Sequence, residues 1–185
     1  EILIDEKIHG KIFVTGNTVI DSLKIFSKIS KQKSTISLPV DDFLLMTIHR
    51  SENIENEKIL TSIISGILHS KRKIIFPVHP HTLKKLKFFN LYEKIKEMKN
   101  ITMIKPVGYF DMIELMKNCS FIVSDSGGIQ EESTSPEIKK KVLVLRKTSD
   151  RPESIDSGWS YLVGTKSKDI SKMINIENLT KNFPK

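Results

Sequence analysis

The sequence predicts an α/β protein, a Rossmann-like three-layer sandwich built on a parallel sheet. Three observations lead there. Short apolar runs alternate along the chain with segments of helical period, the order that right-handed βαβ units produce. The apolar runs are continuous instead of alternating, as in strands buried on both faces. The chemically distinctive residues gather directly after those runs, where an open parallel sheet binds its ligands.

The first run, "KIFVT" (11–15), reads as a strand. Asn17, a residue type suited to an N-cap, then opens a helix over "NTVIDSLKIFSKI" (17–29). "SKQKSTISLPVDD" (30–42) is linker-like and reads as a surface loop. A strand follows over "FLLMTI" (43–48). The next helix lies in "ENEKILTSIISGILHS" (55–70), where Ile59, Ile63 and Ile67 repeat every four residues beside Leu60, Ile64 and Leu68. Further strands are expected over "KIIFPV" (73–78), "ITMI" (101–104), "FIVSD" (121–125), "KVLVL" (141–145) and "YLVG" (161–164). A helix over "FDMIELMKN" (110–118) sets Met112, Leu115 and Met116 on one side.

Composition narrows the function. A chain of 185 residues, 38% apolar and 28% charged, fits one globular domain with an ordinary core. No apolar stretch approaches the ~18–20 residues that cross a bilayer, so no membrane partner is expected. The single cysteine, Cys119, excludes an internal disulfide and suits a reducing cytoplasm. The net charge of +8 rests on 30 basic residues, of which only Arg50, Arg72, Arg146 and Arg151 are arginine. The lysines spread over amphipathic segments such as "TLKKLKFFNLYEKIKEMKN", with no aromatic platform among them. That pattern describes a solvated surface, and no nucleic-acid partner is expected. The chain opens on Glu1, not methionine, and reads as a piece of something longer.

Polar clusters follow the strand runs at four points. His49, Arg50 and Glu52 follow "FLLMTI"; His79 and His81 follow "KIIFPV"; Ser126, Gly127 and Gly128 follow "FIVSD"; Arg146 and Arg151 follow "KVLVL". A strand that turns through Ser-Gly-Gly into a helix leaves first-turn N–H groups free for a phosphate, with no side chain in the way. Glu132 lies four residues beyond Gly128, on the same helical face, and a carboxylate there can accept both hydroxyls of a ribose. The other reading is an ordinary glycine turn with carboxylates near a helix start. His79, between two prolines, is held stiffly at a strand end. No paired-ligand spacing points to a metal, and Ser126 lacks the G-x-S-x-G setting of a hydrolase nucleophile.

Taken in order, "TGNTVIDSL" (15–23), "HRSEN" (49–53), "PVHP" (77–80), "DSGGIQEE" (125–132), "RKTSDRPE" (146–153) and "LVGT" (162–165) resemble the non-hydrolysing UDP-N-acetylglucosamine 2-epimerases over nearly the whole chain. The resemblance covers the C-terminal, nucleotide-binding half of that family and implies one half of a glycosyltransferase-B architecture, with residues 1–185 as the UDP-binding domain. It implies that Ser126, Gly127 and Gly128 hold the UDP phosphates and Glu132 the ribose. His79 and Arg151 would contact phosphate or sugar, and His49, Arg50 and Glu52 would face the catalytic cleft. It further implies a cytoplasmic, homodimeric isomerase of cell-surface polysaccharide biosynthesis that converts UDP-GlcNAc to UDP-ManNAc without cofactor or metal. The proton-transfer carboxylates would come mostly from the other half, leaving this chain inactive alone. Two departures stand out: "STSPEIKKK" has no glycine and runs about two residues longer than the family's turn, and "HRSEN" has serine where many relatives have a second arginine. A glycosyltransferase domain of the same architecture and a non-catalytic UDP-sugar-binding module remain the alternatives.

Overall fold

The computed structural model describes residues 6, 9–13, 16–176 and 179. Its sheet is six-stranded and wholly parallel, formed by β1 (Phe43–Thr47), β2 (Lys73–Pro77), β3 (Ile101–Ile104), β4 (Ile122–Ser124), β5 (Val142–Val144) and β6 (Ser160–Leu162). The strand order is β3-β2-β1-β4-β5-β6. The chain therefore winds outward from β1 in one direction, then returns to β4 and winds outward in the other. The connections leaving β1 and β4 part company between them, which opens a crevice at their carboxyl ends.

Alternate residues of each strand feed two separate cores. Leu44, Met46, Ile74 and Phe76 pack beneath α3 (Glu57–Leu68), α4 (Pro80–Phe88) and α9 (Ser167–Ile174). Phe43, Leu45, Ile122, Val142 and Val144 pack on the other face beneath α1 (Thr18–Lys33), α6 (Tyr109–Asn118) and α7 (Gly127–Glu132). Short helices α2 (Ser51–Ile54), α5 (Tyr92–Lys96) and α8 (Pro152–Asp156) complete the connections. The leucine and isoleucine pattern of 55–70 works as expected: Leu60, Ile63, Ile64 and Ile67 are buried, with Ile59 and Leu68 packed at the margin. Gly66 on that helix permits a very close approach, since a Cβ there would sit 2.8 Å from the Cβ of Ile170 on α9.

Two expectations need correction. No strand forms at residues 11–13, where Phe13 is 76% exposed; residues 14 and 15 of that run lie outside the described residues. Strand propensity does not by itself bring a run alongside a pairing partner, and residues 11–13 pair with none of the six strands. The stretch 30–42 is not all loop either. Asn17 caps α1 through its side chain, 3.0 Å from the Val19 N–H, but the helix runs on to Lys33 because Ser30 is fully buried and donates to Glu114 Oε1 at 2.5 Å. The remaining loop is pinned by Asp111, which accepts from the Thr35 N–H at 2.7 Å and the Ser34 hydroxyl at 2.7 Å, and its Ile36 and Leu38 pack against the second core.

Candidate functional site

The crevice is built where β1 and β4 end. Thr47 and Ser124 are register partners there, and their buried hydroxyls lie 2.7 Å apart. The next residue on β4's side, Asp125, is fully buried. Its carboxylate accepts the backbone N–H of His49 at 3.1 Å, that of Arg50 at 3.0 Å and the side-chain amide of Asn53 at 3.0 Å. The His49 ring nitrogen Nδ1 is 3.5 Å from the same carboxylate. Asn53 also donates to the Leu145 carbonyl at 2.9 Å. One buried aspartate and one buried asparagine thus tie the ends of β1, β4 and β5 together. A buried carboxylate is tolerable here because several donors replace its water.

Directly after Asp125, the Ser126 hydroxyl accepts from the Ile129 N–H at 3.4 Å and caps α7. The amides of Gly127 and Gly128, in the first turn, have no acceptor within the helix. The two glycines differ in surroundings. A Cβ on Gly127 would lie 3.3 Å from Arg50 Nη2 and 4.0 Å from the Arg151 guanidinium carbon, whereas one on Gly128 would meet only the Ser126 hydroxyl at 3.9 Å. Gly127 therefore lets two arginines close over the turn, and Gly128 keeps the space outside it open.

The arginines are held by carboxylates. Arg146 is only 5% exposed; its Nε donates to Glu52 at 2.7 Å and its Nη1 to Asp150 at 2.6 Å. Arg50 Nη2 reaches the same Asp150 oxygen at 2.8 Å. The hydrogen bond from Arg146 is the chief reason that Asp150 titrates below the usual aspartate range, and the same bond holds the Arg146 proton more tightly than usual. Arg151 donates through Nε to Glu131 and through Nη1 to the Asp150 carbonyl at 2.8 Å. Glu132, next along α7, accepts from the Tyr109 hydroxyl at 3.4 Å. Burial is the largest influence on the Glu132 carboxyl and raises its pKa; the neighbouring Glu131 charge adds to the rise, against the Tyr109 hydrogen bond.

His79 precedes Pro80 and caps α4, its Nδ1 accepting the His81 N–H at 3.3 Å. With Nδ1 as acceptor, the neutral ring carries its proton on Nε2 and can donate from there. His79 and His49 share a cavity of about 200 Å³ whose walls are largely apolar: Pro77, Pro106, Val107, Met112 and Ile129. A larger cavity of about 370 Å³ opens at the opposite, amino end of the strands, between Leu38, Phe43, Lys73 and Thr102, away from all of these groups.

Of the residues singled out in the sequence, Arg50, Gly127 and Arg151 come into direct proximity, and His49 and His79 line one cavity. Glu52 is turned to Arg146. Asp125, Asn53, Asp150 and Tyr109 belong to the site although sequence reasoning assigned them no role. Among the described residues, no group of three or more metal-ligating side chains comes together, and no helix is long and apolar enough to cross a membrane.

A family model described as UDP-N-acetylglucosamine 2-epimerase matches residues 1–182. The UDP-N-acetylglucosamine 2-epimerase of Methanocaldococcus jannaschii is 40% identical over 178 residues, covering 91% of this chain and 48% of that protein. The Escherichia coli K12 protein of the same name is 31% identical over 199 residues, covering 96% and 50%. Among solved structures, the M. jannaschii UDP-GlcNAc 2-epimerase in complex with UDP-GlcNAc and UDP superposes with a TM-score of 0.82 at 38% identity, over 95% of this chain and 51% of that one. The Neisseria meningitidis UDP-GlcNAc 2-epimerase bound to UDP-GlcNAc gives 0.73 at 32% identity, over 96% and 54%. The chain spans about half the length of the curated relatives it matches.

Proposed function

Because the chain belongs to the UDP-N-acetylglucosamine 2-epimerase family, we propose that its residues 1–185 are the C-terminal, UDP-binding half of an enzyme that interconverts UDP-GlcNAc and UDP-ManNAc. In that reaction a base removes the proton on C2 while the C1–O bond breaks, releasing UDP and leaving a 2-acetamidoglucal. Return of UDP to C1, with a proton delivered to the opposite face of C2, inverts that centre. The task of this half is to hold UDP as substrate, as leaving group and as returning nucleophile. The proton-transfer carboxylates belong to the other half of the fold, so this chain alone does not turn over.

The observation that carries the reading is the convergence of the Gly127–Gly128 turn with Arg50 and Arg151 at the switch point of the sheet. The amides of the two glycines and the Ser126 hydroxyl take the phosphates, and Arg151 adds charge from the side. Its Nε and Nη1 are engaged within the protein, so Nη2 is the nitrogen that would meet the ligand. Cations and fixed amides favour the elimination because negative charge collects on the departing diphosphate. His79 donates from Nε2 to phosphate or sugar, Glu132 accepts the ribose hydroxyls, and the apolar cavity beside His79 receives the uracil. His49, Arg50 and Glu52 face the catalytic cleft. The whole enzyme acts as a cytoplasmic homodimer supplying UDP-ManNAc to cell-surface polysaccharide synthesis.

Calorimetry tests the nucleotide assignment directly. UDP should bind this chain more tightly than uridine, and Arg151→Ala should narrow the difference. Equal affinities for UDP and uridine would remove the phosphate site.

A further inference from the structure

Glu131 and Glu132 are adjacent carboxylates in unlike settings. Glu131 is neutralised by Arg151. Among the described residues no cation pairs with Glu132; its partner is the neutral hydroxyl of Tyr109, the first residue of α6, at 3.4 Å. Tyr109 is 40% exposed, and its ring is braced edge-on by Phe26 of α1, with centroids 5.9 Å apart and planes at 86°. Burial and the Glu132 charge both hold the phenol proton more tightly than usual, so the hydroxyl is a donor toward the carboxylate. A carboxylate that must accept two hydroxyls of a diol needs a fixed orientation and unspent acceptor capacity. A cation would satisfy the first need and compete with the second. A phenol uses one acceptor position of about four and leaves the charge intact.

We propose that Tyr109 is the positioning residue for ribose recognition: its hydroxyl orients the Glu132 carboxylate toward the sugar diol and so sets how strongly this protein prefers a ribonucleotide. The inference rests on the assignment of the ribose to Glu132 made above. Phe26 gives the tyrosine a rigid backing, which ties the preference to the packing of α1 against α6.

The test measures binding of UDP and of 2′,3′-dideoxy-UDP to the wild-type chain, Tyr109→Phe, Glu132→Ala and the double variant. Tyr109→Phe retains the ring and its contact with Phe26. It should weaken UDP binding roughly two- to threefold, the low end of the hydrogen-bond scale because the contact is long at 3.4 Å, while leaving the dideoxy ligand unaffected. In the Glu132→Ala background the same change should have no further effect on UDP, because nothing is left to orient. A purely packing role for Tyr109 would alter both ligands alike. If Glu132→Ala abolishes the preference for UDP and Tyr109→Phe preserves it, the positioning role is overturned and the ribose assignment stands. If Glu132→Ala itself leaves the preference unchanged, the ribose assignment falls and this inference with it.

Discussion

The buried carboxylate of Asp125 accepts the backbone N–H of Arg50 at 3.0 Å, so the residue that begins the glycine turn also fixes the loop that brings Arg50 over it. The two sides of the crevice are one hydrogen-bonded unit. Asp125→Asn tests this with almost no change in volume. His49 N, Arg50 N and Asn53 Nδ2 all donate to the carboxylate, and an amide has one oxygen fewer to receive them. Its NH₂ group would face a donor. The variant should lose about 2–4 kcal/mol of stability in urea unfolding, the range for leaving buried donors unmatched beside a lost charge-assisted bond. A loss below about 0.5 kcal/mol would mean that the loops are held by other contacts.

Lys139 occupies a conformation that glycine would take more readily. Its φ of 48° lies in the left-handed region, which costs a side chain roughly 1–2 kcal/mol, and the residue is exposed. It sits in "STSPEIKKK", the turn that lacks the glycine its resemblance to the epimerases would call for. Lys139→Gly should therefore stabilise the protein by about 0.5–1 kcal/mol, once the greater freedom of glycine in the unfolded chain is subtracted. A melting temperature raised by about 1–3 °C is the expected reading. A fall would mean that the lysine side chain contributes more than its backbone costs.

Much of the fold was legible because short, β-branched apolar runs bounded by turn residues suit strands covered on both faces. Five strands of the sheet fall within such runs, and β6 (Ser160–Leu162) overlaps the expected 161–164 only in part. At residues 11–13 the strand expected from "KIFVT" is absent, because strand propensity carries no information about which partner the run will lie beside. The rim was legible for the same reason as the strands, since each polar cluster follows the end of one. Its inner connections were not. Arg50 and Asp150 stand 100 residues apart and meet only because β1 and β5 flank β4. "RKTSDRPE" looks basic in sequence, yet Asp150 sits between two of the protein's arginines. Tyr109 and Glu132 come together through the packing of α6 and α7 on one face of the sheet, a proximity that no spacing encodes.

The titration of Glu132 gives a pH prediction of definite sign. Burial raises its pKa above the ordinary 4.5, so the folded protein holds that proton to higher pH than the unfolded chain does. Its contribution to stability is greatest at low pH and declines as pH rises from 4.5 through the folded value. Ribose binding runs the other way, because the diol needs an ionised acceptor. Affinity for UDP-GlcNAc should fall as pH is lowered through that raised range. The doubly esterified diphosphate of this ligand does not itself titrate there. In Glu132→Gln the fall should vanish, while stability at neutral pH should be no lower than in the wild type. An unchanged pH dependence in the glutamine variant would place the responsible group elsewhere.

Gly128 separates what the turn needs in order to fold from what it needs in order to bind. Its φ is not in the left-handed region, and a Cβ there would have only the Ser126 hydroxyl within 4 Å, at 3.9 Å, an ordinary contact. Alanine should fit, and should leave stability unchanged or raise it by roughly 0.4–1 kcal/mol through the unfolded chain. The methyl group would nevertheless occupy the open space before the first-turn amides, where the diphosphate is proposed to lie. UDP affinity should drop about tenfold or more, the scale of a lost hydrogen bond to a charged group. Gly127→Ala provides the contrast, since its Cβ would come within 3.3 Å of Arg50 Nη2 and disturb the 2.8 Å bond from that nitrogen to Asp150. That variant should lose both stability and affinity. If Gly128→Ala bound UDP as tightly as the wild type, the phosphates could not rest against this turn, and the glycine pair would be serving only the close approach of the arginines.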